Sequence, residues 1–498
     1  MKWQDFWPKL YGRANCKTSY WVTRYFYLRG LGALYFIAAT ILFFQGPGLI
    51  GPHGLAPIQN TTASMLERFG SMLELQKNFP SLLWISAEDS TLYIMAGVMG
   101  LGSAFMVLGF CNWIILIVMW ICQLSLVNSA WPFYGFGWET MLLEMTFFSL
   151  FLCHPWRWSL KRVRQPTISY FSIFPLYWML FRLMFGAGLI KIRGDECWLN
   201  LTCMDVHYQT QPNPHFLSWF YHQMPWWFHR FEVGFTHFVE LLVPFGFLLM
   251  AKVRWISVLI TILFQLVLIS TGNLAFINWQ TIVLCLIGLD DRFWHWILQK
   301  KYLDPNLSKE SSSTHSLCNK ALPAIAMLIV LSLSYRPLMN MISPGQRMNE
   351  SYDPFHLVNS YGLFGSITKK RFEVVVEGTL DEKVSDQTVW LAYEFPCKPG
   401  DVNRRPCWIT PYHLRLDWQM WFSAMRPRLQ EPWLLKLGEK LLQNEARVLS
   451  LMSHNPFPDQ PPKWVRMELY LYEWAPSGSK NWWQRQRVGE YLPPIRLR

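Results

Sequence analysis

Apolar residues run in nearly unbroken stretches through most of the chain, at 28–46, 91–110, 112–130, 139–153, 174–192, 235–250, 255–271, 274–289 and 321–337. They are too uniformly apolar to be single faces of soluble amphipathic helices, and the pattern predicts helices solvated by lipid. A perpendicular helix needs about 20 residues to cross the hydrocarbon. The shorter stretches therefore predict tilted, broken or re-entrant segments. The first begins near Leu28 with no small-residue cleavage pattern after it, which predicts a retained signal anchor behind a cytoplasmic segment 1–27.

After about residue 338 the period changes. Arg371–Thr379, Thr388–Phe395 and Trp464–Trp474 are rich in β-branched and aromatic residues with partial alternation, which predicts half-buried strands. Residues 432–452 open on Pro432 and carry apolar positions at helical spacing, which predicts a packed helix. The expected fold is an α-helical polytopic membrane bundle over 28–337 with an external loop at 193–234. A β-rich (α+β) extracytoplasmic C-terminal domain follows over 338–498. The Ser-rich run 308–316 reads as a linker.

Composition agrees with a lipid-solvated chain. Of 498 residues 52% are hydrophobic, 17% aromatic and 16% charged, too little charge to clothe a soluble protein of this size. The net charge of +12 raises the possibility of nucleic acid, but no clustered basic face or binding motif supports that partner. The basic residues instead divide by side. If the N-terminus is cytoplasmic and all nine stretches cross, 17 Lys and Arg fall inside, in 1–29, 157–164, 252–254 and 292–320. Only 5 fall outside before the last crossing: Arg68, Lys77, Lys191, Arg193 and Arg230. That asymmetry satisfies the positive-inside rule and puts the C-terminal domain outside the cytoplasm.

Cysteines follow the same division. Cys111, Cys122, Cys153 and Cys285 lie in or beside apolar stretches, where a thiol behaves as a small buried apolar group. Cys197 with Cys203, and Cys397 with Cys407, form close pairs on the external side and predict two local disulfides. Neither pair has the two-residue spacing of common zinc sites. Sequons at Asn60, Asn200 and Asn349 are external and would accept glycan in a eukaryote, whereas that at Asn306 is internal.

Long strings carry a family resemblance. Tyr25–Leu34, Gly51–Ile58, Arg182–Lys191, Gly194–Gln211, Pro225–Glu232 and His237–Pro244 resemble blocks of the lipase maturation factors. So do Leu357–Ser366, Arg371–Gly378, Tyr393–Pro399, Arg404–Cys407 and Pro411–Phe422. The resemblance implies a membrane-embedded folding factor of the endoplasmic reticulum, or of the inner membrane if the source is bacterial, that brings secreted lipases to their active assembled form.

Catalytic motifs give no competing reading. There is no Gly-x-Ser-x-Gly elbow, phosphate-cradling Gly loop, His-Glu-x-x-His helix or Cys-x-x-Cys, and no cofactor or metal is expected. His207, His215, His222 and His229 sit seven or eight residues apart, a spacing that suits aromatic packing better than a metal. Ala187-Gly188-Leu189-Ile190-Lys191 is similar to the Ala-Gly-x-x-Lys segment of the vitamin K-dependent carboxylases, in which the lysine serves as a base. That resemblance makes Lys191 the one catalytic candidate, against a lysine that snorkels to the interface. Glu144, Arg182, His237 and Glu240 lie within apolar stretches, and Arg182 with Glu240 is the expected intramembrane pair. Trp198, Leu201, Trp226, Trp227 and Phe228 form the expected client-binding surface of the external loop.

Overall fold

The computed structural model describes residues 20–153, 155–156, 170–298, 317–426 and 431–497. Most of the basic residues expected on the cytoplasmic side, including Lys2, Lys9, Arg13, Lys17, Arg157, Lys161, Arg162, Arg164, Lys300, Lys301 and Lys309, and the sequon at Asn306, lie outside the described residues.

All nine apolar stretches are helical. They form α1 (Trp21–Ile50), α2 (Asp89–Leu108), α3 (Trp113–Ser129), α4 (Gly137–Ser149), α5 (Tyr170–Gly194), α6 (Trp226–His237), α7 (Ala251–Thr271), α8 (Ile277–Cys285) and α9 (Leu317–Leu333). Irregular turns prolong α6 to Leu248, and a further helix, Tyr335–Ile342, extends α9. Six of these rods, α1, α2, α5, α6, α7 and α9, are long and apolar enough to cross a membrane. The short α4 shows why length can be relaxed. All of it except Phe147 is buried inside the protein, so lipid thickness does not set its span. Two boundaries differ most from expectation. Helix α1 starts at Trp21 and α6 at Trp226, because the aromatic and basic residues preceding the uniformly apolar cores continue the helix to headgroup depth.

Successive helices run in alternate directions. At one end of the bundle the amides of Trp21 and Val22 donate to Asp291 beyond α8, and Arg29 donates to Val107 and Leu108 at the end of α2. There Arg24 also donates to Leu152, just past α4. At the other end Gln45 of α1 bonds His413 and Arg415, and Asn128 of α3 donates to Pro354. At that same end Arg193 of α5 donates to Met341. The start of α1 and the C-terminal sheet thus lie at opposite ends of the bundle.

The sheet is antiparallel in the order β2-β1-β3-β4. Strands β1 (Arg371–Thr379) and β3 (Trp464–Trp474) have the predicted bounds and pair from Arg371 opposite Tyr472 to Thr379 opposite Trp464. Of the strand predicted at 388–395 only Leu391–Ala392 pairs as β2, with a separate bridge from Glu394 to His454. Strand β4 (Trp483–Ile495) escapes alternation rules: as an edge strand it exposes most of its run from Gln484 to Arg487, and it tolerates Pro493 and Pro494 near its end. Helix α10 (Arg415–Ala424) was not expected from periodicity. The helix predicted at 432–452 closes at Leu442 as α11 (Pro432–Leu442), because Asn444 takes a left-handed φ of 52° before a short turn at Ala446–Leu449.

Buried charge ties this region to the bundle. Arg415 of α10 is fully buried and bonds Glu139 of α4 at 2.6 Å and the Phe133 carbonyl at 2.6 Å. Arg182 of α5 does not meet Glu240 as expected. It pairs with Glu144 of α4 and donates to the Asn359 carbonyl, while Glu144 also accepts from Tyr361 at 2.7 Å and from the Asn359 amide at 3.1 Å. Glu240 stands level with Lys191 instead, nine residues further along α5, roughly 13 Å up the axis. Removing one partner of such a pair strands the other in a medium of low dielectric. The expectation is that Glu144→Ala lowers stability by about 3–5 kcal/mol, seen as early thermal unfolding of the detergent-solubilised protein. A double Glu144→Leu, Arg182→Met variant should recover most of that loss; equal loss in both would show that the ion pair is not what matters at this position.

Candidate functional site

Where α6 meets α5 the helix is irregular for a reason legible in the chain. Pro244 has no N–H to give the Glu240 carbonyl four residues back, and Phe238–Leu242 opens into a π-helical turn followed by a 3₁₀ turn over Val243–Leu248. Across from it, Gly188 of α5 permits close approach: a Cβ there would meet Leu241 at 2.7 Å and Glu240 at 3.0 Å. Gly186 and Gly194 on the same helix lie as tightly against the Tyr361 and Gly365 carbonyls.

This approach brings Lys191 to Glu240. The ammonium bonds both carboxylate oxygens at 2.7 Å and sits 5.4 Å from the centre of the Trp198 ring. Lys191 is 5% exposed, so it does not snorkel to water. Nor does it have the surroundings of a base. The hydrogen bonds of its ammonium go to the two oxygens of the Glu240 carboxylate, which hold it as a buried structural ion pair. The carboxylase-like reading of Lys191 has no support in this geometry.

The pair forms one wall of a cavity of about 270 Å³ enclosed by α5, α6, α7, α8 and the loop helix Met204–Thr210. Phenylalanines from α6 and α7, with Tyr208 and Tyr221, supply much of the rest. Polar lining residues with no role assigned in the sequence include Tyr208, Glu232, Gln265 and Asn278. Tyr208 donates to Glu232 at 2.6 Å, and Asn278 donates to Gln265 at 2.8 Å. Glu232, Gln265 and Asn278 sit inside apolar helices, the signal that could have found them. His207 also faces this space, held between the Tyr208 and Phe364 rings, and burial pushes its pKa down to about 4.

The loop histidines and His237 do not converge on one site. His215 accepts from the Leu217 amide and contacts the Ile269 carbonyl, His229 meets Asp205 and the Tyr221 carbonyl, and His237 contacts the Trp198 carbonyl. His222 lies on a separate loop helix, Phe216–His222, and among the described residues no three metal-binding side chains converge.

Both cysteine pairs are bonded, with Cα separations of 4.8 Å for Cys197–Cys203 and 5.5 Å for Cys397–Cys407. The first closes a tight turn that holds Leu201 at a φ of 58°. The second is held to the bundle by Asn273 and to α10 by Asp417, which accepts from the Cys397 and Lys398 amides at 2.7 and 2.8 Å. Burial pushes Asp417 up to about 6 against those bonds.

Of the expected client surface, Trp226 and Trp227 are 70% and 58% exposed. Trp198 is not part of any surface: it is 2% exposed, with its indole N–H on the Phe364 carbonyl. A tryptophan beside a buried lysine is needed as wall, not as contact. Leu201 and Phe228 are half-buried, the latter lining the cavity.

Comparison with known proteins gives a consistent result. The family described as Lipase maturation factor transmembrane domain matches residues 22–296, and Lipase maturation factor C-terminal domain matches 357–493. Lipase maturation factor 1 of Bos taurus is 40% identical over 502 residues, covering 96% of this chain and 89% of that protein. The Homo sapiens protein of the same name is 40% identical over 504 residues, covering 96% and 88%. Lipase maturation factor 2 of Xenopus tropicalis is 28% identical over 593 residues, covering 95% and 82%. No solved structure matches the chain.

A structural Lys191–Glu240 pair makes a distinct mutational forecast. Lys191→Met alone should cost about 3–5 kcal/mol by stranding Glu240, whereas Lys191→Met with Glu240→Leu should fold and keep biological activity. A double variant that is folded, inserted and inactive would return Lys191 to a chemical role.

Proposed function

This chain belongs to the lipase maturation factor family, and on that premise we propose that it is a membrane-resident maturation factor that helps secreted lipases reach their active assembled form. The observation that carries the reading is the 40% identity to Lipase maturation factor 1 across 96% of the chain. In this reading it works from the endoplasmic reticulum membrane, with the C-terminal sheet and the loop helices on the lumenal side.

Three observations support that sidedness. The disulfides Cys197–Cys203 and Cys397–Cys407 share the sheet end of the bundle, and disulfides persist in oxidising compartments. The sequon residues Asn60, Asn200 and Asn349 are exposed in the connections at that end. The free cysteines Cys111 and Cys153 lie near the opposite end, 3.5 Å apart and unbonded.

The client surface we propose is the loop region closed by the first disulfide, with the exposed Trp226 and Trp227 joined by Phe220 and Met224, 48% and 42% exposed. Large aromatic side chains bring contact area at low entropic cost. Their position at the start of a membrane-crossing helix would present the client to the protein at headgroup depth.

Expression in cells lacking their own maturation factor tests the function: active secreted lipase should be restored, and inserted, folded protein that restores none would refute the reading. Sidedness is tested with cysteines replacing the exposed Gln223 and Glu382. An impermeant maleimide should label both only after microsomes are opened; labelling of intact microsomes would reverse the orientation. For the client surface, the Cys197→Ser, Cys203→Ser double variant should recover several-fold less lipase by co-purification at matched levels of inserted protein. Unchanged recovery would exclude the loop and leave the C-terminal sheet as the contact.

A further inference from the structure

The cavity behind Lys191 is more than a packing defect. Its volume of about 270 Å³ is near the lower bound of small-molecule sites, roughly 300 Å³. Interiors are otherwise packed almost without voids larger than water. Most of its lining is apolar, and its phenylalanines stand on the two sides where α6 and α7 face each other, Phe228, Phe231 and Phe235 against Phe264. Phe231 is 62% exposed while also lining the cavity, so the cavity reaches the outer surface of the bundle there. The neighbouring outer surface of α6 and α7 is Phe238, Leu242, Leu259, Leu263 and Leu266, all exposed and apolar, as a lipid-facing surface requires. A void with this opening connects to hydrocarbon, not to water.

Its polar groups are not spent evenly. Lys191 and Glu240 satisfy each other, Gln265 and Asn278 are paired, and Tyr221 bonds Ser270. Two groups keep unused capacity. Glu232 accepts from Tyr208 through Oε1, but its buried Oε2 has no partner among the described residues. His207, 6% exposed, makes no hydrogen bond to a described residue through either ring nitrogen. A buried carboxylate oxygen asks for a donor, and a neutral imidazole offers one donor and one acceptor. A buried polar atom left unmet is costly, and a ligand that meets it recovers that cost.

We propose that this cavity is a binding site for a single-chain lipid with an uncharged hydroxyl headgroup, of the monoacylglycerol class, whose chain enters from the bilayer past Phe231 and whose hydroxyls meet Glu232 and His207. A hydroxyl both donates and accepts, which suits the two open groups together. A fatty-acid carboxylate or a phosphate is disfavoured, because the one ammonium lining the cavity, Lys191, is already taken by Glu240, and no other lining cation among the described residues is left to meet an anion. A cationic head would carry its own charge into a predominantly apolar chamber, which costs more than a hydroxyl does. The volume admits part of one chain and excludes a two-chain lipid. The cavity shares loop residues such as Trp198 and Tyr221 with the client region, but none of the exposed side chains assigned to the client, Phe220, Met224, Trp226 and Trp227, lines it.

The test uses the full-length protein in nanodiscs with three photoreactive alkyne probes of equal chain length: a monoacylglycerol, a fatty acid and a long-chain amine. The monoacylglycerol probe should crosslink to peptides of α6 and α7, be displaced by excess unlabelled monoacylglycerol, and give one bound molecule per chain by native mass spectrometry. Filling the cavity with Leu268→Trp or Val267→Trp should reduce that crosslinking at least fivefold, and Glu232→Leu should reduce it while leaving labelling by the fatty acid unchanged or stronger. Both filling variants are judged only at wild-type insertion and thermal stability. If neither folds, displacement and stoichiometry on the wild-type protein decide. Preferential labelling by the fatty acid or by the amine, labelling that does not saturate, or labelling indifferent to every folded variant would each overturn the proposal, the last two leaving only annular lipid.

Discussion

Taking a guanidinium or carboxylate out of water costs several kcal/mol, and a bundle solvated by lipid has no water to lend it. The buried long-range ion pairs described above answer to that constraint. Glu139 and Glu144, five residues apart on α4, are neutralised by Arg415 and Arg182, one from the C-terminal region and one from the bundle. Lys191 meets Glu240, and Arg254 meets Asp290 near the opposite end. In the sheet, Arg371 is buried beside Glu373, which also takes Lys398 at 3.0 Å, while Arg371 donates to the carbonyls of Gln209, Gln211 and Pro212 in the loop. Charge compensation fixes the register of the helices and makes the two matched regions of the family, 22–296 and 357–493, one packed body.

Apolar runs were a sufficient guide to the helices because in lipid a backbone has few ways to satisfy its own hydrogen bonds. The same logic made β1 and β3 legible, since both lie inside the sheet and read as apolar. Strand β4 was not legible, because an edge strand facing water on much of its length reads as a polar loop. The partial loss of 388–395 has a related cause: only Leu391 and Ala392 find a partner strand, and composition cannot say where a partner ends.

The site was read with mixed success for a physical reason. Arg182, Glu144 and Glu240 stand out in the sequence as polar residues in apolar surroundings, and Lys191 through its resemblance to a carboxylase segment. Their partners depend on helix phase and depth, which a list of segments does not contain. Thus Arg182 was matched with the wrong glutamate, and Trp198, adjacent to a cysteine in a loop, was mistaken for surface. Glu232 falls in the stretch read from the sequence as the external loop 193–234, because the uniformly apolar run starts only at 235, whereas the helix begins at Trp226.

Helix α4 has a further bearing, on the order in which the protein can be built. It is short, carries two carboxylates and is buried on nearly every face, so a bilayer alone would hold it poorly. Arg182 arrives dozens of residues later in synthesis, and Arg415 only after every membrane helix has been made. The ribosome must therefore finish nearly the whole chain before α4 acquires its last counter-ion. Until then the nascent bundle remains incomplete at its centre, and truncations that remove only the sheet domain remove a component the membrane helices need for their own assembly.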